Sequence, residues 1–387
     1  MPPTLRLPRA DGILTAYTLS GRAAIEVPAG PIRSRIGMAA VHVVADPLAA
    51  INPTLDVAVD WDATLRYRHY IWSLGLAVAE AMDTSQRGMG FDWATARDLI
   101  KRTVAESRSV AGAVVASGAG TDQLEPGPRV TIADVEAAYE EQCAFIEGAG
   151  GRIILMASRA LAACAQGPGD YVKVYGRLLS QVREPVIIHW LGEMFDPALA
   201  GYWGSRDRDR QTETLLSVVQ EYAPKIDGVK ISLLDQQREI AMRRRFPPSV
   251  RMYTGDDFDY PTTIRGDGER HSDALLGIFD VIAPAAAAAL KALDAGDTRS
   301  YDSILAPTLP LSRHVFGDPT RFYKTGVVFA AYLNGHQSHF RMVGGLESAR
   351  SVVHLAEQFV LMDRAGLLRD PELAAERMRR VLAVAGI

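Results

Sequence analysis

Lysine is scarce in this chain: Lys101, Lys173, Lys225, Lys230, Lys291 and Lys324 are all there are, and arginine carries most of the positive charge. One of them stands out. Lys230 sits between Val229 and Ile231 in the run Asp227-Gly228-Val229-Lys230-Ile231-Ser232, which reads as an interior strand. An ammonium is costly to bury, so its pKa falls toward neutrality and leaves an amine able to attack a carbonyl. The plainer reading is a lysine that reaches solvent or pairs with Asp227 or Asp256. Other apolar runs also end in polar residues. They are Asp83-Thr84-Ser85-Gln86, Ser117-Gly118-Ala119-Gly120-Thr121-Asp122, His189-Trp190-Leu191-Gly192-Glu193-Met194-Phe195-Asp196 and Tyr253-Thr254-Gly255-Asp256-Asp257. His189 has the chemistry to move protons near neutral pH, or else is a core histidine bonded to a carbonyl. Asp83 could accept a hydrogen bond from a sugar hydroxyl. Asp256 and Asp257 either bond substrate or hold their loop. Thr84 and Ser85 could also cap the following helix.

Such residues need a frame that gathers strand ends. Eight apolar runs supply it: Met38 to Val44, Leu76 to Met82, Ala111 to Ala116, Arg152 to Met156, Pro185 to His189, Gly228 to Ser232, Val250 to Tyr253, and Leu275 to Ile278. Most are apolar on both faces, as buried parallel strands are. Helical patterns separate them, among them Thr131 to Gly148 with Thr131 as its N-cap, Asp170 to Val182, and Thr212 to Tyr222. Eight strand–helix units predict an α/β fold, a (β/α)8 TIM barrel over residues 35–298, whose chemistry belongs at the C-terminal ends of the strands. Residues 1–34 read as a short N-terminal β extension built on Ile13 to Tyr17 and Ala24 to Val27. Residues 299–387 read as a helical C-terminal extension, with amphipathic helices over Ser348 to Asp363 and Pro371 to Ala385. The 387 residues carry a net charge of −4, which argues against a general nucleic-acid binder, since phosphate binding needs a basic face. Two cysteines, Cys143 and Cys164, make neither a disulfide framework nor a zinc site. No signal-peptide or membrane-span pattern is present, so a cytoplasmic protein is expected.

Several of these motifs resemble the dihydrodipicolinate synthase and N-acetylneuraminate lyase superfamily. Gly228-Val229-Lys230 matches its Gly-Ile-Lys signature on the sixth barrel strand. Thr254-Gly255-Asp256-Asp257 is similar to its pattern after the seventh, and Thr84-Ser85 keeps two adjacent hydroxyls where its Gly-Thr-Thr-Gly-Glu loop stands. The resemblance covers residues 36 to 300. Ile154 to Leu161, His189 to Pro197 and Tyr253 to Tyr260 further resemble a bacterial subfamily of unassigned function labelled dihydrodipicolinate synthase-like. The resemblance implies a Schiff base on Lys230 and a 2-oxo acid carboxylate held by Thr84 and Ser85. Two departures matter. His189-Trp190-Leu191-Gly192 replaces the family's Tyr-Asn-x-Pro segment, whose tyrosine relays protons. Glu193, Met194 and Asp196 stand where an arginine binds a substrate carboxylate, which argues against true dihydrodipicolinate synthase activity.

The expectation is therefore a class I aldolase or lyase acting on a small keto substrate, a 2-oxo acid or keto sugar derivative, with no cofactor, assembled as a homo-oligomer. Lys230 and His189 would be catalytic; Asp83, Thr84, Ser85, Asp256 and Asp257 would bind substrate. A metal-dependent barrel hydrolase or isomerase with His42, Asp83, His189 and Asp256 as ligands is an alternative, and a non-catalytic ligand-binding barrel is another. His336-Gln337-Ser338-His339 has the spacing of a helical metal pair but no carboxylate to complete it. Arg243-Arg244-Arg245 reads as a solvated face.

Overall fold

The computed structural model describes residues 2–387. The chain opens with an antiparallel hairpin of β1 (Thr4–Pro8) and β2 (Leu14–Thr18). Here the expectation is half right. β2 is the anticipated strand, but its partner is β1, not Ala24 to Val27. A tight turn closes the pair, with Gly12 at φ +79° and its N–H on the Arg9 carbonyl at 2.9 Å. Residues 24–27 carry no strand.

Eight parallel strands then close into a barrel: β3 (Gly37–Ala40), β4 (Ala77–Glu80), β5 (Val115–Ala119), β6 (Arg152–Leu155), β7 (Val186–Leu191), β8 (Ile226–Ser232), β9 (Arg251–Thr254) and β10 (Asp273–Leu276), with β10 bonded to β3. This is the (β/α)8 architecture the alternation predicts. β5 starts later than expected, because the helix before it (Trp93–Ser107) unwinds through successive turns as far as Ala113. The barrel interior is filled unevenly. β3, β4 and β5 point alanines inward (Ala40, Ala77, Ala79, Ala116), while β6, β7, β9 and β10 supply Ile154, Ile187, Tyr253 and Leu275. The opposite faces of the strands pack under the helices.

The helices start where short polar side chains cap them. Asp60 accepts from Ala63 N–H, and Thr131 and Asp134 form a reciprocal capping box. Arg243 corrects one expectation. It is buried, not solvated, and donates to the Thr263 carbonyl and the Ser272 hydroxyl.

Among the described residues, the C-terminal region carries five α-helices and no strand: Thr298–Leu305, Thr308–Val315, Tyr323–Leu333, Val352–Arg364 and Pro371–Val384. All eleven residues of Tyr323–Leu333 are buried, as expected of a mostly apolar helix whose one charge, Lys324, is paired. The N-terminal segment docks on this region, with Tyr17 Oη at 2.5 Å and Ser20 N–H at 2.8 Å donating to the Asp363 carboxylate. No helix among the described residues is long and apolar enough to cross a membrane.

Candidate active site

Lys230 lies on β8 in register with His189 of β7 and Tyr253 of β9, and all three point into the barrel. Two glycines make the room. A Cβ on Gly228 would meet the Tyr253 ring at 2.6 Å. A Cβ on Gly255 would come within 2.2 Å of Ser232 Oγ and 3.0 Å of Lys230 Cε. The glycines flanking the lysine motif are thus steric requirements of the aromatic ring and of the lysine stem.

Lys230 is only 7% exposed, and its amine has no hydrogen-bond or ion-pair partner among the described residues. Burial pulls its pKa down to about 8, against the opposing pull of the Asp257 and Asp83 carboxylates. Burial pushes Asp257 the other way, upward, while the Ile278 N–H (3.0 Å) and the Lys230 charge hold it back. Asp256 is turned to its own loop and accepts from the Phe258 N–H at 2.9 Å. Of the two adjacent acids, Asp257 acts on the lysine. His189 Nε2 lies 3.1 Å from Ser232 Oγ. Burial, then the nearby Lys230 charge, drives the imidazole well below its usual pKa, so it sits neutral and not near its titration midpoint as its type alone suggests.

Asp83–Ser85 form a single 3-10 turn just beyond β4, entered through Ala81 at φ +52°. Ser85 Oγ donates to the Val41 carbonyl at 2.8 Å and ties the turn to the end of β3. The other two residues meet the C-terminal region. Thr84 Oγ1 is 2.7 Å from Tyr323 Oη, and Asp83 Oδ2 is 3.0 Å from Lys324 Nζ. Tyr323 reaches this point because Gly277, past the end of β10, has no side chain. A Cβ there would lie 3.1 Å from the Tyr323 ring and 3.4 Å from Thr84 Oγ1. Burial, then Asp83, raises the Tyr323 phenol, so it stays protonated. Burial lowers Lys324.

A cavity of about 210 Å³ opens from Asp83 and His189 toward the loops after β5, β6 and β7. Arg87 and Arg159 line it, each bound to a carboxylate: Arg87 to Asp122, Arg159 to Asp196. The acids beyond β7 are therefore not without a cation. Arg159 arrives from the loop after β6, and Gly88 (φ +69°) clears its path, since a Cβ there would overlap the guanidinium. Glu193 is occupied elsewhere, by Arg208 at 2.6 Å.

The family described as "Protein of unknown function (DUF993)" matches residues 5–387. The chain belongs to this family. No curated protein matches its sequence. Its fold is shared with solved dihydrodipicolinate synthase family structures at low identity. YagE of E. coli K12, described as a prophage protein of the dihydrodipicolinic acid synthase family in complex with pyruvate, is 14% identical with a TM-score of 0.66, covering 86% of this chain and 99% of its own. A putative dihydrodipicolinate synthetase of Pseudomonas aeruginosa is 15% identical, with a TM-score of 0.64 over 86% of this chain and 100% of its own. The dihydrodipicolinate synthase of Aquifex aeolicus is 14% identical, with a TM-score of 0.60 over 91% and 98%.

Among the described residues, no three His, Cys, Asp or Glu side chains gather as a metal site would require. His42, Asp83, His189 and Asp256 therefore do not form the set of four the metal alternative requires, and His42 Nδ1 bonds Asp280 at 2.8 Å. His336 and His339 lie beyond the end of helix Tyr323–Leu333, so their spacing has no helical meaning. Tyr323 and Lys324 are the residues that sequence reading passed over. The available signal was a lone lysine opening the run Tyr323-Lys324-Thr325-Gly326-Val327-Val328-Phe329, where a charge must be buried and paired.

Proposed function

We propose that the protein is a Schiff-base aldolase or lyase acting on a 2-oxo acid or related keto compound. The observation that carries this is the Lys230 amine, buried inside the barrel without a hydrogen-bond or ion-pair partner among the described residues and in register with His189, which lines the cavity. The pyruvate complex described for YagE supports a keto acid. The Lys230 lone pair attacks the keto carbon, the carbonyl electron pair moves to oxygen, and loss of water leaves an iminium. The iminium nitrogen then accepts the electron pair of an adjacent C–H or C–C bond and becomes an enamine. A barrel that lowers the lysine pKa to about 8 keeps a useful fraction of amine near neutral pH.

In this reading two pairs of side chains move protons. His189 and Ser232 flank Lys230 and serve the carbinolamine oxygen. Thr84 and Tyr323 serve the neighbouring carbon. Thr84 takes its proton while passing its own to Tyr323, and Tyr323 passes one to Asp83, so that neither hydroxyl carries charge. Lys324 balances the Asp83 carboxylate. Ser85, Thr84 and Asp257 shape the substrate's polar end, and Asp256 holds its loop.

The cavity also bears on substrate class. Both of its arginines are already neutralised by aspartates, so it offers no spare cation to a second carboxylate or a phosphate. A neutral hydroxylated tail suits it better. The test is borohydride trapping with pyruvate and with longer 2-oxo acids bearing hydroxyl, carboxylate or phosphate tails, followed by peptide mass mapping. The expected adduct lies on Lys230 and is strongest with the hydroxylated acid. Undiminished adduct in Lys230→Ala would reject the assignment.

A further inference from the structure

A second cavity, about 190 Å³, lies outside the barrel. It occupies the seam where residues 24–27, helix Trp61–Ser73, the start of the region after β10 and helix Tyr323–Leu333 meet. One wall is apolar, built from Ile25, Leu74, Val281, Ala330 and Leu367. Three rings also line it: Tyr70 and His336 are 4.4 Å apart between centroids, and Tyr67 and His336 5.0 Å. The ring wall is fixed in place. Tyr67 Oη donates to the Asp280 carboxylate at 2.9 Å, and His42 Nδ1 grips the same carboxylate at 2.8 Å.

Three of the residues that line it have side-chain polar groups with no partner among the described residues: the half-buried Tyr70 hydroxyl and His336 imidazole, and the guanidinium of Arg369, an exposed residue at the rim. Their neighbours are satisfied. Asn334 donates to the Leu367 carbonyl at 3.0 Å and accepts the backbone N–H of Arg369 at 2.9 Å. Arg369 is thus anchored by its backbone while its side chain is left free. All three residues line the one cavity, and the Tyr70 and His336 rings are in contact. Burial pushes His336 down to about 4, so the ring is neutral and offers one donor and one acceptor.

We propose that this cavity is a second ligand site, separate from the barrel mouth, for a small carboxylate with a flat apolar body. The guanidinium takes the carboxylate in its two-pronged geometry, Tyr70 and His336 complete its hydrogen bonds, and the ring wall and aliphatic wall enclose the body. This site stands or falls independently of the aldolase reading, since none of its side chains enters the barrel.

The probe is 3-phenylpropionate, titrated calorimetrically into the full chain, with 3-phenylpropionamide and propionate as controls lacking the charge or the ring. Saturable binding is expected for the acid, at least about tenfold weaker for either control. Arg369→Gln should weaken it by about tenfold or more, and Tyr70→Phe by a few-fold, with thermal stability unchanged because neither group bonds the protein. Lys230→Ala should bind the probe as the wild type does. Absence of saturable binding, full binding in Arg369→Gln, or loss of binding in Lys230→Ala would each overturn the proposal.

Discussion

Replacing Asp257 by asparagine tests the electrostatic balance at Lys230 with little change of shape. The side-chain amide keeps an oxygen for the Ile278 N–H, so the loop stays capped while the charge disappears. In the wild type, burial lowers Lys230 to about 8 although Asp257 and Asp83 pull the other way, and Asp257 is the larger of the two. An opposite charge close by is worth roughly one to three pKa units. Taking the low end, the Lys230 midpoint falls by about one unit, and the free-amine fraction at pH 7 rises from about a tenth to about a half, some fivefold. Well above both midpoints the two proteins converge. The assay is reductive methylation with formaldehyde and cyanoborohydride across a pH series, read on the Lys230 peptide by mass spectrometry, so no knowledge of the natural substrate is needed. A midpoint that rises or stays put in Asp257→Asn, or a wild-type midpoint near that of an ordinary lysine, refutes the reasoning.

Gly255→Ala should abolish Schiff-base trapping while leaving a folded barrel of lower melting temperature, because its methyl displaces Ser232 and the Lys230 stem; circular dichroism with borohydride trapping checks both. Tyr323→Phe keeps the ring over Gly277 and removes only the hydroxyl. Borohydride trapping of a keto acid should persist, while exchange of that acid's carbon-bound protons into deuterated water slows by about 10²-fold or more. Glu239 is buried and accepts from Ser272 and Thr254, and burial raises it to about 7. The folded state therefore binds the extra proton between the unfolded and folded pKa values, and stability is lost as pH rises from about 4.5 through 7. The loss is up to about 3 kcal/mol. Glu239→Gln should flatten that slope in melting temperatures measured at about pH 5 and about pH 8, either side of the folded midpoint; an unchanged slope would remove Glu239 as its source.

Much of this protein is written locally. Strand–helix alternation, buried two-faced strands and the Thr131 cap depend on neighbours a few residues apart, so the barrel is legible from the order of residues alone. The inward direction of Lys230 also follows from β-strand periodicity once β8 is assigned, since Gly228 and Ser232 share its face. Other features depend on contacts between residues far apart in the chain, which no local pattern encodes. The burial of Arg243 turned on acceptors brought by another segment. Thr84 meets Tyr323 and Asp83 meets Lys324 across 239 and 241 positions, because one apolar helix folds back over the strand ends and Gly277 leaves a gap for it. Arg159 likewise reaches Asp196 from a different loop, neutralising the charge that the segment after β7 shows by itself. Local sequence decides which elements form and which way their side chains face. Tertiary packing decides which charges neutralise one another, because that depends on distances through space.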